Sequence, residues 1–400
     1  MNSWRVSNAA EIVLNTPPLA LYAHFPWCVQ KCPYCDFNSH ALRDELPEQR
    51  YVDALKRDFD LQAAETPGRK LSSIFLGGGT PSLFSPAAIG GLIEHVGRVQ
   101  GFATTDIEIT LEANPGTIER GRFAEYRAAG VTRVSLGAQS FDARQLKTLG
   151  RIHSADETRR AAEELHAAGL SNFNLDLMYA LPGQTADEAE MDLRAALALD
   201  PTHLSQYHLT IEPGTLFAAA PPKQPADDVV DEMLDRSLNV LADAGLSQYE
   251  VSGYSRSGLQ CVHNLNYWNF GDYLGIGAGA HGKISDVTTG EVFRTQQWRE
   301  PRRYLGAEPG VLARKRVESV DLPFEFAMNG FRLVEGFHES LFMERTGLRA
   351  EVLGLSLAPV VARGLVESLD GTWRATPQGF RFLNDILVEL LPDTGSKAAR

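Results

Sequence analysis

Six short runs of β-branched and apolar residues, each followed by a turn and then a segment of helical period, restrict this chain more than any other feature. The runs are 20–25 (ALYAHF), 71–76 (LSSIFL), 106–111 (DIEITL), 132–137 (TRVSLG), 172–178 (NFNLDLM) and 203–209 (HLSQYHL). Helical stretches fall between and after them at 47–64, 86–98, 118–129, 155–168, 185–198 and 226–244. Strand, helix, strand repeated in this way predicts a parallel sheet covered by helices. Strict alternation is not required, because helices bury one face of such a sheet and an interior buries the other. Every run also ends in polar or glycine residues: His24, Gly77 to Thr80, Glu112 to Pro115, Gln139 and Ser140, Asp176, and Tyr207 to Thr210. A doubly wound sheet gathers its ligand groups at one switch point, whereas a parallel barrel or partial barrel uses all its strand ends. Chemistry at all six favours the barrel.

Just after the first run come Cys28-x-x-x-Cys32-x-x-Cys35, with Trp27, Pro33, Tyr34 and Phe37 in the same loop. A [4Fe-4S] cube normally takes four thiolates, so three leave one iron open to another ligand. A Cys3His zinc site completed by His24 or His40 is the competing reading, but zinc knuckles favour two separated Cys-x-x-Cys pairs. Four cysteines in 400 residues cannot form a disulfide framework, and such usage suits a reducing compartment. Cys261 lies far from the triplet and need not share its site.

Composition removes several other classes. With 44% hydrophobic and 22% charged residues the chain is globular, with material for two or three domains. A formal charge of -13 disfavours nucleic acid as a partner, since such binding depends on Lys and Arg neutralising phosphates. The start, MNSWRVSNAAEIVLNTPP, lacks the pattern of a secretory signal, and no apolar run approaches a membrane span, so cytoplasm is expected. Residues 1–17 read as a flexible N-terminus and 18–245 as the barrel. Residues 246–317 read as an irregular, Gly-rich and aromatic extension, too long for a plain connector. In 318–395, helical runs at 322–334 and 350–363, a hairpin turning at Asp370-Gly371 and a last helix at 377–391 suggest a winged-helix-like domain. Its shape alone would allow DNA binding; a lid is the reading the acidic chain favours.

An open iron can chelate an amine and a carboxylate from one small molecule, and S-adenosylmethionine offers that pair. Gly77-Gly78-Gly79-Thr80 ends the second run, where missing Cβ atoms let backbone amides approach a ligand. Glu112, Gln139 and Asp176 add donors and acceptors suited to an amine or ribose, and Arg151 suits a carboxylate.

These residues carry a resemblance. The segment from Tyr22 to Phe37, with GGGTPS at 77–82, LEANPG at 111–116, LGAQSF at 136–141, LGRIHS at 149–154, FNLDLMYALPGQT at 173–185 and HNLNYW at 263–268, resembles radical S-adenosylmethionine proteins over nearly the whole chain. Within them it is similar to the oxygen-independent coproporphyrinogen oxidase branch and its heme-chaperone relatives. The resemblance implies a partial (β/α)6 barrel followed by a C-terminal helical domain. It implies that Cys28, Cys32 and Cys35 bind the cluster. It also implies that Tyr22, Tyr34, Phe37, Gly78, Gly79, Thr80, Glu112, Gln139, Arg151, Asp176 and Thr210 surround S-adenosylmethionine, some of them at a second bound molecule. The oxidases carry a fourth cysteine two positions after the third; Phe37 stands there in this chain. HNLNYW matches the HNxxYW motif of the chaperone branch, which implies heme at His263, with His281 in GAGAHGK as runner-up ligand. The function expected is therefore that of a heme chaperone delivering heme to membrane-bound respiratory hemoproteins through transient membrane contact, with room for a homodimer. Coproporphyrinogen III oxidation is the alternative.

Overall fold

A computed structural model describes residues 14–116 and 121–391. The six expected strands are present as β1 (Leu19–Phe25), β2 (Leu71–Gly78), β3 (Glu108–Ala113), β4 (Arg133–Gln139), β5 (Phe173–Tyr179) and β6 (His203–His208). They pair in chain order, all parallel. Helices Glu48–Ala64, Pro86–Val99, Phe123–Ala128, Ala155–Ala167, Ala186–Leu197 and Asp227–Asp243 follow the strands in turn. The helix expected from 118 begins partly outside the described residues. Two of the helices open on a reciprocal cap, Ser154 with Glu157 and Thr185 with Glu188, which satisfies backbone donors left free in a first helical turn.

The strands do alternate. Ile74, Leu76, Ile109, Leu111, Val134, Leu136 and Leu175 are buried in the main apolar core. Side chains of that size each contribute roughly 1.5–3 kcal/mol on burial. The residues between them, Thr110, Glu112, Ser135, Asn174, Asp176 and Ser205, share the other face and are mostly polar. Ser135, Asn174, Asp176 and Ser205 offset their burial by bonding one another, whereas Thr110 Oγ1 has no partner among the described residues.

Residues 246–317 differ from the irregular extension expected, for most of their regular structure is more sheet. Asp272–Ile276 pairs in parallel with β1, and His281–Asp286, Glu291–Gln296 and Ala313–Arg316 continue antiparallel from it. At the other edge Gly253–Ser255 runs antiparallel to β6 and is followed outward by Ser247–Gln248. The result is one twelve-stranded sheet with β1–β6 inside it.

Beyond it, helices Leu322–Gly330, Glu339–Thr346 and Ala350–Ala362 pack with strands Phe337–His338, Val366–Leu369 and Thr372–Ala375. Asp370 and Gly371 both have positive φ, as a two-residue hairpin turn requires. The last expected helix is broken at Phe382 into Pro377–Arg381 and Leu383–Glu389. This part shares its core with the barrel side, because Phe270 and Val292 pack in the same cluster as Phe326, Phe342 and Leu353.

Candidate functional site

The carboxyl ends of β1–β6 surround a cavity of about 490 Å³, and the cysteine loop forms one wall of it. That loop is fastened on several sides. Leu42 N donates to Cys28 O at 2.8 Å, Phe217 N to Pro33 O at 3.0 Å, and Asn38 Nδ2 to the carbonyls of Ala278 and Arg299 at 2.9 and 2.8 Å. All three thiols are free, partly exposed and line the cavity. Arg151 Nη1 donates to Cys32 Sγ at 3.8 Å, and Cys35 Sγ lies 3.6 Å from Ser39 Oγ. Burial pushes the Cys28 thiol up, opposed by hydrogen bonds from Thr80 and Ser39. Three soft donors on one fixed loop, open to a cavity, fit an iron–sulfur cluster, which Cys28, Cys32 and Cys35 would hold.

Beside the loop, in the same wall, stand the glycines. A Cβ on Gly79 would lie 2.6 Å from Trp27 O and 2.7 Å from Phe25 O, and Gly78 has φ +111 with its Cβ position 2.4 Å from His24. Only glycine lets β2 end this close to the cysteine loop. Gly78 N donates to Glu112 Oε2 at 2.8 Å. Burial, aided by the nearby Asp176 charge and opposed by the Gly78 amide, pushes the Glu112 carboxyl up to about 8. Asp176 is also raised by burial, against hydrogen bonds from Ser135 Oγ at 3.0 Å and Asn174 Nδ2 at 2.8 Å.

Arg151 donates to Gly137 O at 2.7 Å and to Asn114 Oδ1, while its Nε has no partner among the described residues. Gln139 has φ +66, at a register shift between β4 and β5 that turns the chain over the cavity. Tyr34, Phe37, Thr80 and Thr210 line the same cavity. The fold thus gathers all the expected cluster and S-adenosylmethionine residues there except Tyr22. The Tyr22 hydroxyl bonds His24 Nδ1 at 2.7 Å, below the glycine turn. Other residues also belong to the wall: Asn114 and Tyr207, expected there as run-end groups, with Asn114 donating to Thr80 Oγ1 at 2.9 Å, and Ser135 and His153, which were not singled out from the sequence. For His153 the signal was its place in LGRIHS, in the loop before helix Ala155–Ala167; Ser135 is an ordinary strand residue whose role comes only from pairing.

His263, the heme ligand that the resemblance implies, lies outside this cavity. It sits on helix Val262–Trp268, which closes the amino-terminal end of the barrel, and is 5% exposed. One ring face stacks on Phe75, with centroids 4.1 Å apart. Its Nδ1 lies 3.1 Å from Glu108 Oε1 and 3.0 Å from Cys261 Sγ. Glu108 also accepts from the amides of Val262 and His263 at 3.0 and 3.1 Å, so this carboxylate caps the helix. Burial alone would raise Glu108, but His263, Arg133 and the helix amides outweigh it and take the carboxyl to about 2. Burial keeps His263 neutral despite Glu108, so its ring serves Glu108 as an N–H donor rather than a counter-ion. Tyr267 packs beside it against Tyr273, and Trp268 lies under the Arg332 guanidinium at 4.2 Å. The imidazole is thus enclosed by Phe75, Glu108, Cys261 and Tyr267. The runner-up, His281, is exposed on its strand but outside the cavity.

Comparison with known proteins agrees with this geometry. A profile of the radical SAM superfamily matches residues 22–196, and one of the HemN C-terminal domain matches 318–382. The solved coproporphyrinogen III oxidase HemN of Escherichia coli superposes with a TM-score of 0.79 at 22% identity, over 94% of this chain and 90% of that one, which shows a common fold. The heme chaperone HemW of Escherichia coli is 48% identical over 95% of this chain and all of its own length. That of Bacillus subtilis is 32% identical over 92% of this chain and 98% of its own. Fold and cysteine loop make this a radical SAM protein. Within that class, the chain belongs to the HemW family.

Proposed function

We propose that this protein is a cytoplasmic heme chaperone that binds a [4Fe-4S] cluster on Cys28, Cys32 and Cys35, holds S-adenosylmethionine beside it, and passes heme to membrane-bound respiratory hemoproteins. The observation that carries the cofactor reading is that three free thiols and the Gly78–Gly79 turn line one cavity side by side. Charge supports it as well. Asp36, Glu157, Asp176 and Glu212 line the cavity together with Glu112, which is held protonated until a cation displaces its proton, and Arg151 is the one guanidinium among the described lining residues, a balance that suits a cofactor bearing an ammonium and a sulfonium. When bound, cluster and cofactor supply one-electron reductive chemistry. The chain's own part is to fix the cluster loop, present the Gly78 and Gly79 backbone, and place Glu112 and Asp176 for the amine and ribose.

Heme enters this reading through the family rather than through His263. At the mouth, Val29, Phe37 and Ile152 are 42%, 60% and 59% exposed, an apolar rim on which a flat macrocycle could lose water-exposed surface. Phe37 also stands where a further thiol would be needed for the oxidase pattern, which favours transport over turnover. Among the described residues no helix is long and apolar enough to cross a membrane, so contact with membrane acceptors would be transient. The test is anaerobic cluster reconstitution, heme titration followed by Soret absorbance, and transfer to an apo-hemoprotein. Absence of heme uptake sinks the proposal; anaerobic conversion of coproporphyrinogen would establish the oxidase instead.

A further inference from the structure

The helix that carries HNLNYW is joined to the cavity floor by a hydrogen-bonded series whose direction is fixed at every step. Asn174 Nδ2 donates to Asp176 Oδ1 and to Ser135 Oγ, each at 2.8 Å. Both amide hydrogens are thereby used, so Asn174 Oδ1 must accept. It accepts from Ser205 Oγ at 3.1 Å and from His203 Nδ1 at 2.7 Å, which places the imidazole proton on Nδ1. Burial holds His203 neutral, leaving a lone pair on Nε2, and the Tyr249 hydroxyl donates to it at 2.9 Å. The Tyr249 oxygen then accepts from Asn264 Nδ2 at 3.4 Å, and Asn264 neighbours His263 in the motif. Asn264, Tyr249, His203 and Asn174 therefore all donate toward one carboxylate, and aligned bonds of this kind polarise and strengthen one another in a dry interior.

We propose that His203 is a positioning residue of the S-adenosylmethionine site: through Asn174 it fixes the Asp176 carboxylate, and Tyr249 and Asn264 of the barrel base fix the tautomer of His203. The proposal rests on the reading that Asp176 faces that cofactor. Polar filling of a barrel by itself would not need this order. Ser135 already bonds Asp176, and apolar side chains could occupy the positions of His203 and Tyr249 without leaving a carboxylate unpaired. The order matters if Asp176 must be held at one rotamer with its free lone pairs toward the cavity.

The experiment is anaerobic equilibrium binding of S-adenosylmethionine to cluster-reconstituted full-length protein, with iron content and thermal melting recorded for each variant. Tyr249→Phe, which keeps the packing, is expected to weaken binding about fivefold, the effect of one hydrogen bond. His203→Leu is expected to weaken it tenfold or more. His203→Gln, whose amide carries a donor and an acceptor at similar spacing, should return affinity to near wild type. In an Asp176→Asn background Tyr249→Phe should add nothing further, the signature of a shared path. Wild-type affinity in both Tyr249→Phe and His203→Leu, with Asp176→Asn impaired, overturns the positioning role alone. Additive losses overturn it as well. Failure of the wild type to bind overturns the reading of the cavity itself, and with it this proposal.

Discussion

Replacing Glu108 by glutamine tests whether the barrel base is held by charge. The carboxylate receives the two first amides of helix Val262–Trp268, the His263 ring and, at 4.0 Å, the Arg133 guanidinium. Its fall from the usual 4.5 to about 2 is worth at most roughly 3 kcal/mol, at 1.36 kcal/mol per tenfold change in proton affinity. Part of that fall comes from a His263 charge that is absent near neutral pH, where Arg133 and the helix amides remain, so we expect a loss of about 1–2 kcal/mol for Glu108→Gln there. The sign follows from a depressed carboxylate. The stabilisation is complete above about pH 4.5 and is lost as pH falls through about 2. Urea unfolding of wild type and variant would therefore show a gap that is constant from pH 7 to 5 and narrows below. Comparing the two proteins cancels Asp58 and Glu112, whose raised carboxyls act in the opposite direction. A second readout is Cys261, which is buried. With the three cluster cysteines changed to serine it becomes a lone thiol, and its reaction with a disulfide reagent should quicken in the variant as the helix loosens. A gap under about 0.5 kcal/mol at pH 7, or one that does not narrow in acid, refutes the reasoning.

Because Glu112 is held protonated near neutral pH, capture of a ligand ammonium should release a proton there. S-adenosylmethionine affinity should rise about tenfold per pH unit between 6 and 7.5, and Glu112→Gln should flatten that slope; an unchanged slope would count against Glu112 as the amine partner. Gly79→Ala should cost about 1–3 kcal/mol, since its methyl meets two backbone carbonyls that cannot step aside. The same variant should retain less iron after reconstitution, and full iron content with unchanged melting would contradict it.

Most of β1–β6 was legible because a short β-rich run between turn residues leaves few alternatives, and the cavity followed because each such run ends in a group that needs a partner. The outer strands were not legible for a different reason. Asp272–Ile276 becomes a strand only by lying against Leu19–Phe25, far away in sequence, and Gly253–Ser255 has too few residues to show a period. His263 shows the limit of a motif. HNLNYW identifies residues that belong together, but the groups that decide where the imidazole points, Glu108, Phe75 and Cys261, include two more than 150 positions distant. Residues such as Asn174 and His203 gave no signal, since polar side chains inside a parallel strand look the same whether they face solvent or a buried network.

The stack of His263 on Phe75, with helix Val262–Trp268 behind it, also has a kinetic consequence. A barrel closed at its base in this way is a blind well. Whatever lies deep in it must arrive before, and leave after, anything seated on the rim formed by Val29, Phe37 and Ile152. Cargo at the mouth would thus act as a stopper: the small cofactor beneath could exchange only between deliveries, and slow cofactor exchange in heme-loaded protein would be a property of the architecture rather than of affinity.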